Sequence, residues 1–453
     1  MFRNIFLKKI SMLLFLVLLS FESKLVMAGD TSLAFEGALG FGRFTQGGNG
    51  GEIYVVDTLD DSSNPIKGML RHAVNAKGPR IIVFTVSGVI ELVKPLEIKH
   101  DFITIAGQTS PKGIVLKGAE TQIKANQVII RYLRFRHGTS NHQSDAITAK
   151  RNSNIIIDHC SMSWANDEVA SFYNNTDFTL QYSIISESLN DAGHNKGSHG
   201  YGGIWGGRRA SFLFNVLAHH TSRNPRINGH RLKPTYSQEE EFAEINNNVI
   251  YNWSKNSAYG NENGKLHFIN NYFKPGPSNG PIRFFQLLNS TEKGANGRGF
   301  FRGNVMVGYP EISNLNRLGL PIKNQKTLQP EDIRLIHENF TLEQLFRPLN
   351  IHTVDNTVDA KFAYQRLIVD QEVGANRNRH GKKLDSVDLR ILTEIKSATA
   401  STETGIIDSE LQVIESWDSY ASEFSNDGVE HIPNLYMQNN QQIELWLNNL
   451  GKF

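Results

Sequence analysis

Short β-rich runs recur along this chain at nearly regular spacing, and that recurrence constrains its fold more than any other feature. The runs occupy residues 81–87, 103–107, 128–135, 155–162, 178–185, 212–217, 244–251, 266–273 and 300–307. Their starts are separated by 22, 25, 27, 23, 34, 32, 22 and 34 residues. A repeat of roughly 20–50 residues with one or two strands per unit is the mark of a solenoid. The apolar positions alternate instead of recurring at i, i+3, i+4 and i+7, so the coil is built of strands. Several runs align on a polar residue before an apolar pair: Ser161, Ser183, Asn215, Asn248, Asn271 and Asn304. Stacked identical turns repeat one backbone conformation, and Asn both tolerates the left-handed region and bonds neighbouring amides, so a column of Asn and Ser pins the turn in each coil. Hairpin turns favour Asn-Gly, and none of these asparagines precedes Gly. The expected fold is all-β, a right-handed parallel β-helix.

An open coil needs its ends covered, because bare strand edges template aggregation. Residues 65–76 place Met69, Leu70, Ala73 and Val74 at helical spacing, which predicts an amphipathic plug over the N-terminal end. After about residue 310 the strand rhythm stops. Helices are expected near 342–346, 386–395 and 441–449, in an extension that packs along the coil. The predicted organisation is a leader over 1–28, a β-helix catalytic domain over 29–310 and a C-terminal extension over 311–453.

The leader is read from Arg3, Lys8 and Lys9 ahead of an apolar run over 10–21, followed by Val26-Met27-Ala28. This is the layout of a secretory signal peptide cut near Ala28, and the apolar run is short of the ~20 residues a membrane span requires. The expectation is an exported chain, extracellular or periplasmic, without a membrane anchor. With 47 Lys+Arg against 45 Asp+Glu, no strong basic field points to nucleic acid. A single cysteine, Cys160, excludes a disulfide scaffold and is expected to be buried and inert.

The chemistry concentrates in two places. Glycan hydrolysis needs two carboxylates about the bond. Asn175-Thr176-Asp177 has no Asp-Asp in the following coils, which speaks against a hydrolase. The stretch Ser222-Arg223-Asn224-Pro225-Arg226-Ile227-Asn228, with His219 and His220 before it and His230 and Arg231 after it, clusters cations on a stiffened loop. Such a cluster calls for an anion between its arginines, and carboxylate or phosphate is what Arg recognises best. A second, acidic set comprises Asp145 and the pair Asp167-Glu168 on neighbouring coils. Stacking at about 4.8 Å lets acids of adjacent turns converge on one ion. Oxygen ligands, without cysteine or paired histidine, point to Ca²⁺ rather than Zn²⁺.

In order along the chain, Ala34-Phe35-Glu36-Gly37-Ala38, 78–84 (GPRIIVF), 104–109 (TIAGQT), Ser144-Asp145-Ala146-Ile147, 157–161 (IDHCS), 199–207 (HGYGGIWGG) and 222–226 (SRNPR) resemble the pectate lyase family of secreted parallel β-helix enzymes. The likeness covers roughly residues 34–275, with a weaker echo at 405–409 (GIIDS). In that family the first arginine of an Arg-x-Pro-x-x-Arg motif is the Brønsted base, which implies Arg223. The resemblance further implies calcium on Asp145 and Asp167, and contact between Lys196 and a substrate carboxylate. Two positions depart from the pattern. The closing arginine falls on Asn228, so that contact is either lost or moved to Arg226 or Arg231, and a second calcium carboxylate falls on Ser171, which leaves either Glu168 to compensate or a calcium site that is weaker or assembled only with substrate.

The implied activity is cleavage of de-esterified homogalacturonan (pectate) by β-elimination, through loss of the weakly acidic C5 proton of the uronate. Positive charge on the C6 carboxylate stabilises the charge that develops. Neighbouring cations and a bound polymer favour an arginine giving up its own proton, so an alkaline optimum and metal dependence are expected. The alternatives are a lyase for another uronan, or a non-catalytic β-helix that binds acidic glycans. The protein is expected to work as a monomer. Asp158-His159 reads as a buried hydrogen-bonded pair, Trp205 as either core or sugar platform, and one of His219 and His220 as a cleft residue.

Overall fold

The computed structural model describes residues 32–139, 143–288, 297–320, 357–425, 428–432 and 440–450. The leader over 1–28 and the helix expected at 342–346 lie outside the described residues. From Ala34 onward the chain is one compact unit.

The repeats form a parallel β-helix. A sheet of 16 strands and a second of 9 run the length of the coil, and every strand pair within them is parallel. The larger sheet folds round a corner. Strand Ala170–Gln181 pairs through its first residues with Ile147–Lys150 and through its last with Ser153–Asp158, so one long strand crosses two faces of the coil. Ile204–Leu213 does the same one turn later. These are the β-branched and aromatic runs read from the sequence, pointing alternately into a core of Ile130, Ile157, Phe178, Phe212, Ile245 and Phe268. Each such side chain contributes roughly 1.5–3 kcal/mol on full burial, which is why deep coils tolerate so few polar residues facing inward.

The polar column is a ladder of side-chain amides. The backbone N–H of Ser183 donates to Asn215 Oδ1 (2.9 Å), that of Asn215 to Asn248 (2.9 Å), that of Asn248 to Asn271 (3.0 Å), and that of Asn271 to Asn304 (3.0 Å). The left-handed residue, however, stands one place earlier: Tyr182, Phe214, Asn247 and Asn270 have φ between 48° and 59°, and in the first of these coils it is His159 (φ 49°), so Cys160 and not Ser161 takes the column position, its N–H donating to Ser183 Oγ at 3.1 Å. Asn in the column therefore bonds neighbouring coils and does not itself supply the turn. The displaced residues stack outside the coil, with ring centroids at 5.0 Å (Tyr132–His159), 4.9 Å (His159–Tyr182) and 5.0 Å (Tyr182–Phe214).

At the N-terminal end the helix is Leu70–Asn75, later in starting than the sequence pattern suggested because Met69 caps it in an extended conformation. Leu70, Ala73 and Val74 close the core, and Arg71 is fixed by a buried bond to Asp61 at 2.6 Å. The last strand of the coil is Val305–Met306. Helix Ser386–Ser397 lays Ile391, Leu392 and Ile395 on the outward side chains of Ile184, Val216 and Val249. Buried Arg134 and Arg136 of the coil bind Asp385 and Asp388 at the start of that helix, Arg136–Asp388 at 2.6 Å. Helix Asn440–Leu450 follows at the C-terminal end of the chain. No helix among the described residues is long and apolar enough to cross a membrane.

Candidate active site

The site residues come together because four consecutive turns of the coil keep register along one face. Ala146 N–H donates to Glu168 O (3.3 Å), Val169 to Tyr201 O (3.0 Å), Gly202 to Ser222 O (3.0 Å) and Gly203 to Arg223 O (3.0 Å). Residues 145, 167–168, 201 and 222–223 are thereby stacked at the mouth of the strands that begin at Ile147, Ala170 and Ile204. Gly202 and Gly203 permit this: a Cβ on Gly203 would sit 1.9 Å from Ala170 O, and one on Gly202 2.5 Å from Arg223 O. Close coil packing, not phosphate binding, accounts for these glycines.

Arg223 has φ 60° and precedes the cis Asn224–Pro225 bond. Its guanidinium lies 4.2 Å over the Tyr201 ring and is ion-paired with Glu168. The Glu168 backbone N–H in turn donates to Asp145 Oδ1 at 3.1 Å. Arg223 thus stands next to the acidic set. Carboxylate oxygens of Asp145, Asp167 and Glu168 all lie within 4.8 Å of one another. Asp145 is buried, and among the described residues its Oδ2 has no hydrogen-bond partner. Burial holds the Asp145 carboxyl well above the ordinary carboxylate value; Lys150 opposes this and Asp167 reinforces it. An orphaned, desolvated oxygen beside two further carboxylates suits a hard cation such as Ca²⁺. The Ser171 hydroxyl accepts the Ile204 N–H at 3.3 Å and, as a hydrogen-bonding neighbour of Asp145, opposes the upward shift of that carboxyl.

On the other side of Arg223 the strand Arg226–Ile227 pairs with Ala258–Gly260. Arg226 lies 5.0 Å over the Tyr259 ring and is ion-paired with Glu262 at 2.5 Å; Arg231 reaches the same carboxylate at 3.8 Å. Burial lowers the Arg231 pKa, and Arg226 and Arg223 lower it further against the opposing Glu262, as expected of three guanidiniums sharing one cleft. Asn228 is buried and donates to Asn174 Oδ1 (2.9 Å) and Arg231 O (3.1 Å), so it is part of the wall. Lys196 is exposed on the loop before Tyr201, its backbone N–H donating to His194 Nδ1 at 3.1 Å.

The comparisons with known proteins can be set beside this geometry. No protein-family model matches the chain. "Probable pectate lyase C" of Aspergillus terreus is 32% identical over 379 residues, covering 81% of this chain and 77% of that protein. The chain belongs to the pectate lyase family. "Probable pectate lyase C" of Emericella nidulans is 37% identical over 259 residues, 56% of this chain and 55% of that protein. Among solved structures, jun a 1, the major allergen from cedar pollen, matches with a TM-score of 0.51 at 18% identity over 74% of this chain and 92% of that chain, a likeness of fold. Membership of the pectate lyase family makes the chain a polysaccharide lyase by class.

Within this pectate lyase fold several positions differ from their sequence reading. The acidic set was expected to lack paired histidines, yet the His194 and His199 rings meet at a tilt beside Asp167, with centroids 3.4 Å apart. Burial and then His199 lower the His194 pKa. Neither His219 nor His220 lines the cleft. Both are fully buried, His219 against Glu394 (3.0 Å) and His220 against Ser188 (2.7 Å) and Ile185 O (3.1 Å), and burial drives His220 down to about 3. Trp205 is core, stacked on Phe212 at 4.5 Å. Asp158 is buried between Arg131 (2.8 Å) and His159 (2.8 Å). Glu262, Tyr201 and Tyr259 were missed. The signal available for Glu262 was an acid one coil beyond Arg226, hidden by the variable loop lengths between.

Proposed function

We propose that the protein cleaves de-esterified homogalacturonan by calcium-assisted β-elimination, with Arg223 as the base that takes the C5 proton. The observation that carries this reading is the placement of the Arg223 guanidinium on the Tyr201 ring, one ion pair away from three clustered carboxylates. Asp145, Asp167 and Glu168 would hold calcium. Bound there, the ion supplies positive charge toward the C6 carboxylate and favours ionisation at C5. Lys196, Arg226 and Arg231 would bind the carboxylates of neighbouring sugars, which suits a polyanion. The Tyr201 ring lies beneath the Arg223 guanidinium and the Tyr259 ring beneath that of Arg226, so each of these cations rests on an aromatic face. The Arg223 guanidinium must leave Glu168 and release a proton to solvent before it can take one from a sugar, so the charged ion pair is the resting arrangement. The β-elimination breaks the C4–O bond and leaves a C4–C5 double bond, with the proton on Arg223 and the leaving oxygen protonated from solvent. Export by a leader cut near Ala28, action as a monomer and a catalytic β-helix over 29–310 with an accessory extension over 311–453 belong to the same reading.

Incubation of the purified protein with a panel of uronans, with and without calcium, tests it. The account expects ultraviolet absorbance of an unsaturated uronate from pectate, lost in a chelator. Pectate binding without that signal, or full activity in the chelator, would overturn it.

A further inference from the structure

Asp167 has a second set of neighbours that calcium binding does not explain. His194 and His199 are buried, with side chains 3% and 7% exposed, and the Nε2 of each lies 3.7 Å from the same Asp167 oxygen, Oδ1. That separation is too long for a hydrogen bond. Three polar groups therefore face one another in long ion-pair contacts, with one ligand atom from each within 4.8 Å of the others. Metal–ligand bonds of about 2.0–2.1 Å put neighbouring ligand atoms roughly 3–3.4 Å apart. Bringing each nitrogen from 3.7 Å to that separation from the Asp167 oxygen needs a shift of a few tenths of an ångström.

The surroundings prepare the rings for this role. His199 Nδ1 faces Gly197 O at 2.9 Å and donates its proton there, which leaves the Nε2 lone pair toward Asp167. A backbone carbonyl on the far nitrogen is the usual support of a ligating histidine. His194 Nδ1 accepts the Lys196 N–H, so the proton of its neutral ring is on Nε2. Coordination through Nε2 shifts that proton to Nδ1 and frees the Lys196 amide. Gly193 and Gly197, with φ of 77° and 82°, supply the left-handed turns of this loop. Its base is held by the C-terminal segment, Asn190 N–H donating to Ile407 O (2.8 Å) and Asp191 N–H to Asp408 Oδ1 (2.9 Å).

We propose that Asp167, His194 and His199 form a site for a divalent transition metal of the zinc type, separate in its selectivity from the oxygen-only set of Asp145, Asp167 and Glu168. Imidazole nitrogen discriminates for Zn²⁺, Co²⁺ and Ni²⁺ and against Ca²⁺. The inference stands on the histidine geometry and not on the lyase reading, although the two sets share Asp167. Ions at the two sites therefore weaken one another.

Calorimetric titration of the full chain with Zn²⁺ in calcium-free buffer tests it, with Co²⁺ as a visible-light probe. The expected result is one Zn²⁺ site and a Co²⁺ spectrum showing imidazole coordination. His194→Gln and His199→Gln should each weaken Zn²⁺ by at least about tenfold, while Asp145→Asn changes it by less than about threefold. Should either variant misfold, the wild-type Co²⁺ spectrum decides alone. Absence of Zn²⁺ binding, a Co²⁺ spectrum without nitrogen ligands, or Zn²⁺ affinity indifferent to both histidines would overturn the proposal. Loss of calcium binding in Asp145→Asn is read separately and bears only on the calcium set.

Discussion

The guanidinium of Arg223 is ion-paired with Glu168, and the backbone of Glu168 holds Asp145. One acid thus links the proposed base to the proposed cation site. Before substrate arrives, its carboxylate is shared between the guanidinium and the cluster.

Replacing that acid separates its two duties. Glu168→Gln is expected to raise the calcium concentration for half-maximal rate by about tenfold, while the rate at saturating calcium stays within about threefold of wild type. Calcium titration of the initial rate measures both. A saturated rate reduced by orders of magnitude would mean that Glu168 acts in the chemistry itself.

Glu262 occupies Arg226 at 2.5 Å in the place a sugar carboxylate would take. Removing its charge in Glu262→Gln should lower KM for pectate by about threefold to tenfold, the scale of one partly exposed ion pair, with little change in kcat. An unchanged or raised KM would show that Glu262 orients Arg226 instead of competing for it.

Behind the cleft, Glu241 accepts the Gly207 N–H at 3.1 Å and the Tyr236 hydroxyl, and burial pushes its carboxyl up from 4.5 to about 8. In the folded protein it keeps its proton between these values, whereas the unfolded chain has released it. The folded state therefore binds more protons there, and stability falls as pH rises through that window. Thermal unfolding should show Tm declining from about pH 5 to about pH 8, and Glu241→Gln should flatten the decline. An equal slope in the variant would place its source elsewhere.

The asparagine ladder makes its own prediction. Asn248 accepts from Asn215 N–H and Nδ2 (2.9 and 3.0 Å) and donates to Phe212 O (3.0 Å). Asn248→Ala leaves several buried groups without partners, at roughly 1–3 kcal/mol each, so denaturant unfolding should show a loss of about 3 kcal/mol or more. A loss below about 0.5 kcal/mol would make the column incidental.

What the sequence disclosed follows from what is periodic. Asn215, Asn248, Asn271 and Asn304 recur once per coil, so the ladder and the parallel coil were legible before any coordinates. Asp145 and Arg223 could be named as candidates because short contiguous motifs carry them, and Asp167 because an acid pair stands on the neighbouring coil. Side-chain partners across coils were not. Glu262 meets Arg226 only because loops of unequal length return the chain to the same face, and no local pattern records that. Both members of His219-His220 are buried, against the alternation of a strand, because Glu394 on helix Ser386–Ser397 covers the outward one. The pairing of Glu168 with Arg223 depends on side-chain reach between coils, which periodicity does not set.

The central claim is that Arg223 removes the C5 proton. Arg223→Ala, assayed on pectate at saturating calcium for unsaturated uronate and in parallel for polymer binding, tests it most directly. The account predicts turnover lower by about a thousandfold, within the 10²–10⁴ range of a lost general base, with binding weakened by less than about tenfold. Turnover within about tenfold of wild type would contradict it and assign the proton transfer to another residue.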